Sequence, residues 1–129
     1  MKIIQGYPPN YDEIAKKFDL SGRDVVFAFG DVLYNPSGNK VPSDLMVHEE
    51  THGKQQKNEV MKWWEKYLKN KEFRLSQEIE AYQNQYQYFK EHCRSSLVLV
   101  KYLDFLAKEL SSEMYGNMIS YEKALQLIK

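Results

Sequence analysis

Apolar side chains recur in the second half of the chain at Leu75, Ile79, Tyr82, Tyr86, Phe89 and Cys93, a spacing of 4, 3, 4, 3, 4. That rhythm averages about 3.6 residues, the period of an α-helix, and excludes a strand, whose side chains alternate every second residue. It predicts one long amphipathic helix over residues 73–93. Further helices are predicted near residues 43–56, 59–69, 96–110 and 120–128, the last with Ser120 as N-cap. Upstream, Asn10 is a plausible N-cap for a short helix over residues 11–18, with Ile14 and Phe18 on its buried stripe and Ser21-Gly22 ending it. Residues 25–29 read as a buried strand. Gly30-Asp31 separates them from a second extended piece, residues 32–34, as a hairpin or a bulged single strand would. Residues 35–39 (Asn-Pro-Ser-Gly-Asn) form a turn cluster.

Composition sets the remaining bounds. A chain of 129 residues suits one domain with one core, since domains commonly run to roughly 100–150 residues. The 18 basic and 18 acidic residues cancel, so no bulk attraction to nucleic acid or to an anionic membrane is expected. Ten tyrosines, six phenylalanines and two tryptophans are more than a disordered polar chain uses. The lone Cys93 closes no intrachain disulfide and leaves no cysteine-rich zinc framework. The start of the chain lacks the apolar run of about 7–15 residues that a signal peptide needs. The greasiest segment, residues 97–106, carries two charges and falls short of the ~20 residues that span a bilayer. The expectation is a cytoplasmic protein without a transmembrane segment.

The chemistry is carried by His48-Glu49-Glu50-Thr51-His52, an HExxH match inside the predicted helix 43–56. Residues four apart on a helix share a face, with Cβ atoms about 5–6 Å apart, so the two imidazoles can converge on one metal ion. Glu49 lies about 100° round the helix from His48, placed to reach a water at that metal rather than to ligate it. Zinc lowers the pKa of such a water to about 7, and a carboxylate can take its proton. On a helical wheel His48, Glu49, His52 and Gln56 all fall within about 60° of Leu45. Glu50 and Lys54 form an oppositely charged pair on the other side. A buried face that polar needs a purpose, and a metal site is the one these residue types supply.

A catalytic zinc usually takes three protein ligands and leaves one position for water. The continuation HExxHxxGxxH would demand Gly at 55 and His at 58, where this chain has Gln55 and Asn58. That ligand set is excluded. His92, Glu78 and Glu80 remain, all on the long predicted helix. Glu78 and His92 are separated by about 21 Å of helix, so only one end can meet the metal. Relative to the apolar stripe, Glu78 stands about 60° off on its shoulder and Glu80 about 140° off, toward solvent. Geometry favours Glu78.

The segments LMVHEETHGKQQ (residues 45–56) and FRLSQEIEAY (residues 73–82) resemble a zincin metallopeptidase of the gluzincin kind. The nearest likeness is to the short single-domain proteins of this type in bacteria and their phages. In gluzincins the third ligand is a Glu on a later helix, often written E-x-x-A-D; Glu78-Ile79-Glu80-Ala81-Tyr82 matches up to the last position and again selects Glu78. Many relatives carry at that last position an Asp that orients a zinc-binding histidine, so Tyr82 is expected to take that role through its phenol. The likeness covers residues 24–90 well and the last third loosely.

The resemblance implies an α+β fold: a mostly helical zincin-like domain over residues 1–129, with a small strand layer beside the HExxH helix. It implies a Zn²⁺-dependent hydrolase of peptide or related amide bonds, with His48, His52 and Glu78 as ligands. Glu49 would activate water and later protonate the leaving amine. Tyr115 or Tyr82 would be the second donor to the transition-state oxyanion. By the same analogy an edge strand, residues 25–29 or 32–34, would pair with an extended peptide or protein substrate. The alternative is a zincin-like metal-binding module without turnover, acting as a structural or protein-interaction protein and phage-associated as the resemblance allows.

Other features have plainer readings. Between Lys54 and Arg74 seven basic residues stand against three acidic ones, near Trp63, Trp64 and Tyr67. Docking of that helix by Val60, Trp64, Tyr67 and Leu68, with its lysines in solvent, explains them without a nucleic acid. Gln55, Gln56 and the glutamines between 77 and 87 either line a polar cleft or coat helices. Cys93 reads as packing, and no upstream cysteine accompanies the histidines as a deformylase-like site requires.

Overall fold

The elements run β1 (Lys2–Ile4), α1 (Tyr11–Lys17), β2 (Phe27–Phe29), β3 (Val32–Tyr34), α2 (Ser43–Gln56), α3 (Val60–Lys69), α4 (Lys71–His92), α5 (Ser96–Leu110), a 3₁₀ turn (Glu113–Tyr115) and α6 (Tyr121–Ile128). They are those of a computed structural model that describes residues 1–129. The fold is mostly helical α+β with a small three-stranded sheet, as expected. The sheet order is β1-β3-β2, with β1 parallel and β2 antiparallel to β3. Residues 27–34 thus form a hairpin, and glycine at the first loop position, Gly30 with φ +62°, suits a two-residue connection. β1 is not among the elements expected from the sequence. No helix is long and apolar enough to cross a membrane.

Of the two N-caps expected from the sequence, Ser120 caps its helix and Asn10 does not. The side chains of Asn70, Ser95 and Ser120 accept hydrogen bonds from the backbone N–H groups of Phe73, Val98 and Lys123, closing the first turns of α4, α5 and α6. Asn10 precedes α1 but makes no such bond. Its side chain is buried without a hydrogen-bond partner, turned into the interior rather than over the helix end. Asp12 and Glu13 occupy the first turn instead, where the helix dipole favours negative charge.

Apolar packing occurs in two clusters. Tyr82 and Tyr86 of α4 meet Leu103, Leu106, Ala107 and Leu110 of α5 and Ala124 and Ile128 of α6. Ile14 of α1 and Phe27 of β2 meet Trp63, Trp64 and Tyr67 of α3. Both tryptophans are buried, whereas Val60 and Leu68, expected to dock α3, lie at the margin of this cluster. Of the apolar stripe of α4 only Tyr82 and Tyr86 are fully buried. Leu75 and Ile79 pack against the α5–α6 cluster, and the buried centre of the helix carries Arg74, Glu78, Ala81, Tyr82, Gln85 and Tyr86.

Between the clusters runs α2, whose buried residues, His48, Glu49, Thr51, His52 and Gln56, are all polar. Gln56 fastens it to the sheet: Nε2 donates to the Ala28 carbonyl at 3.0 Å and Oε1 accepts from the Gly30 N–H at 2.6 Å. Gly53 lets the two approach, because a Cβ there would stand 2.7 Å from the Gly30 carbonyl oxygen. Alanine is the better helix former by about 1 kcal/mol, yet backbone cannot yield as a side chain can. Gly53→Ala is expected to destabilise the protein by about 1–3 kcal/mol, read as a lowered urea midpoint; an unchanged or raised midpoint would contradict the close crossing.

Candidate metal centre

α2 and α4 bring His48, His52 and Glu78 together. One carboxylate oxygen of Glu78 lies 3.1 Å from His48 Nε2 and the other 3.1 Å from His52 Nε2. One ligand atom from each residue fits within 4.8 Å of the others, and all three side chains are buried. Donors around a tetrahedral zinc, with bonds of about 2.0–2.1 Å, sit roughly 3.3 Å apart, so the spacing is that of co-ligands.

The far ring nitrogens decide what the near ones can do. His48 Nδ1 is 2.8 Å from Gln85 Oε1, and His52 Nδ1 is 2.8 Å from Gln55 Oε1. The amide orientations are forced. Gln55 Nε2 donates to the Gln77 carbonyl and to Glu80, and Gln85 Nε2 donates to the Asp44 carboxylate; none of these acceptors has a proton to give. Each glutamine therefore presents oxygen to its histidine, and each Nδ1 must carry hydrogen. Nε2 is left as the position that holds either a proton or a metal, and both Nε2 atoms face one carboxylate. Lone pairs at 3.1 Å repel unless a cation lies between them. A two-histidine, one-carboxylate donor set with an open side fits Zn²⁺.

Without a metal, a proton fills that need. Burial opposes charge on His52, yet the negative charge and hydrogen bond of Glu78 raise its pKa to about 9. Burial would push the Glu78 carboxyl up, but the charge of His52 and hydrogen bonds from both imidazoles hold it well below the usual carboxylate range. A metal taken up near neutral pH would therefore displace a proton from His52.

Around the triad, Tyr67 donates to Glu78 at 2.6 Å. Burial pushes its phenol well above its ordinary pKa, with the charge of Glu78 adding to the effect, so it stays a donor. The Trp63 ring lies 5.4 Å from that of His52, stacks on Tyr67, and is pinned by its indole N–H donating to Gln77. Asp44, which holds Gln85, also accepts from Tyr102 at 2.5 Å. Tyr82 touches the site differently from the expectation. Its ring packs edge-on against His48 at 4.5 Å, while its hydroxyl pairs with that of Tyr115 at 2.9 Å. The hydrogen bond to His48 falls to Gln85, one helical turn further along α4.

The triad opens into a cleft of about 390 Å³ walled mainly by apolar side chains, among them Phe18, Leu20, Val26, Leu45 and Phe105. Glu49 and Tyr115 line it too. Burial raises the Glu49 carboxyl above its usual range; the two imidazoles pull it down and Glu78 pushes it up. Burial likewise holds the Tyr115 phenol protonated.

Other sequence candidates lie apart. Glu80 is exposed and serves as an acceptor for Gln55. His92 is exposed at the end of α4, where Nδ1 donates to the Tyr88 carbonyl and the ring stacks on Tyr88. Cys93 is half-buried, its thiol directed to the Ser95 carbonyl. Residues 32–34 form the central strand, paired on both sides, so they offer no free edge. On β2 the outward Ala28 carbonyl is taken by Gln56 and by the Trp64 indole N–H.

Comparison with protein-family models, with curated proteins and with solved structures finds no match for this chain.

The sequence offers Gln55 and Gln85 only as residues that line a polar cleft or coat helices, and gives Tyr67 and Trp63 no role at the site. Gln55 is one turn after His52, and Gln85 lies two turns after Glu78 on the same face, so helical spacing held a signal for both. Gln85→Leu removes the acceptor for His48 Nδ1 and is expected to weaken zinc binding roughly 10–100-fold in a competitive chelator titration; unchanged affinity would refute the locked tautomer.

Proposed function

We propose that the chain is a zinc-dependent hydrolase of peptide or related amide bonds, of the gluzincin type. The observation that carries this reading is the locked pair of imidazoles aimed with Glu78 at one point, beside a buried carboxylate, Glu49, that no protein group bonds. A purely structural metal site is normally closed by four protein ligands, whereas three with an open fourth side is the catalytic arrangement. Zinc bound there would supply an acidified water and polarise the scissile carbonyl.

The chain's own residues do the rest. Glu49, made more basic by burial, takes the proton of the attacking water and returns it to the leaving amine. His48 and His52, fixed by Gln85 and Gln55, and Glu78, fixed by Tyr67, keep the donor set from rotating as charge develops. Tyr115, protonated at working pH and on the cleft wall, is the available hydrogen-bond donor to the oxyanion, with Tyr82 holding its hydroxyl in place. The apolar walls suit a substrate with an apolar side chain next to the cleaved bond and exclude water from the reacting atoms.

Zinc analysis with an assay on casein and mixed synthetic peptides tests this. Glu49→Gln is expected to keep its zinc and lose roughly 10²–10⁴-fold in rate. Zinc retained with an unchanged rate would refute Glu49 as base. Wild-type protein with tight zinc and no hydrolysis of any peptide would favour the metal-holding module without turnover.

A further inference from the structure

Beside the cleft, at the N-terminal end of α4, lies a second and polar recess that shares Phe18 and Met114 with the cleft wall. Lys17, Lys69, Lys71 and Arg74 line it, opposed by Asp19 and Glu113 alone. Arg74 sets it apart from a scatter of surface lysines. The residue is only 3% exposed. Its guanidinium stands 5.3 Å from the ring centre of Phe18 and 5.9 Å from that of Tyr67. Nη1 donates to the backbone carbonyls of Tyr67 and Leu68, which are neutral acceptors. Nε is buried with no acceptor, and Arg74 takes part in none of the ion pairs of the protein.

A buried charge is ordinarily paired. The guanidinium fork is the side chain best matched to planar or tetrahedral oxyanions. The start of α4 adds the positive end of a 22-residue helix. Gly116, the left-handed C-cap of the 3₁₀ turn at φ +90°, stands beside Nη2.

We propose that this recess is a binding site for an oxyanion group, a phosphate or a carboxylate, with Arg74 at its floor and Lys17, Lys69 and Lys71 around its mouth. The buried cation then acquires a directly paired counter-charge, which neither Asp19 nor Glu113 supplies, since Arg74 forms no ion pair in the protein. None of these groups belongs to the metal centre, so the proposal stands or falls independently of hydrolysis. Because the recess adjoins the cleft, the oxyanion is either the carboxylate of a molecule lying in the cleft or a free phosphate.

Calorimetric titration of the 129-residue chain with inorganic phosphate at low ionic strength, before and after chelation of metal, tests the site. Expected is saturable 1:1 binding, unaffected by chelation, weakened by added salt, and weakened about tenfold or more in the surface double variant Lys69→Glu/Lys71→Glu. Arg74→Met removes the floor, but Arg74 also fastens the α3–α4 turn, so the lysine variant is the decisive one. Competition by a short peptide with a free C-terminal carboxylate, but not by its C-terminal amide, would identify a carboxylate as the natural occupant; competition by neither would identify phosphate. No saturable binding to wild type, binding lost on chelation, or equal affinity in the lysine variant would overturn the proposal.

Discussion

α2 buries five polar side chains and no aliphatic one, so hydrogen bonds hold it in place where other helices rely on hydrophobic burial. Each buried polar group left unpaired would cost more than a paired one gains, and the neighbours of α2 are arranged to meet that demand. Gln56 takes a donor and an acceptor from β2 and the hairpin turn. Thr51 donates to the Val47 carbonyl and accepts from Asn84 of α4. His48 and His52 each meet a glutamine on one side and Glu78 on the other. Neutral protein groups leave two demands unmet: the Glu49 carboxyl, which faces the cleft, and the centre, where two imidazole nitrogens face a carboxylate. A cation would resolve the second.

The position of that centre also bears on stability. Tyr82, against His48, belongs to the α4–α5–α6 cluster, and Tyr67, bonded to Glu78, belongs to the α1–β2–α3 cluster. A metal held between α2 and α4 would therefore join two apolar bodies across a polar seam. Metal binding free energy becomes folding free energy when the site exists only in the folded chain, and a small domain with a divided core has particular use for it. The ligands sit on rigid helices, while the groups facing the cleft, Glu49 and Tyr115, come from a helix face and a short 3₁₀ turn.

Much of this was legible in the sequence because helices announce themselves by period. The five helices after residue 43 lie within two residues of their expected bounds. The 4-residue spacing placed His48 and His52 on one face, and the E-x-x-A resemblance added to the wheel in selecting Glu78 over Glu80. The wheel misjudged the centre of α4, however. Hydrophobicity alone placed Glu78 on a shoulder, whereas the polar face of α4 turns inward because α2 offers it polar partners. Period shows which side chains share a face but not which neighbour covers it, so Gln85 rather than Tyr82 holds His48. The same gap hid Tyr67 and Trp63, which reach the site from α3 through tertiary packing. β1 and the inward turn of Asn10 have no local signature.

X-ray absorption at the zinc edge of the 129-residue chain, produced in zinc-supplemented medium, tests the centre most directly. Expected are two imidazole nitrogens at about 2.0–2.1 Å, a carboxylate oxygen at about 2.0–2.2 Å and one further light-atom position, with the same first shell in Glu49→Gln. Protein that retains no transition metal, or a spectrum showing sulfur from Cys93 or fewer than two imidazoles, would contradict the His48–His52–Glu78 centre.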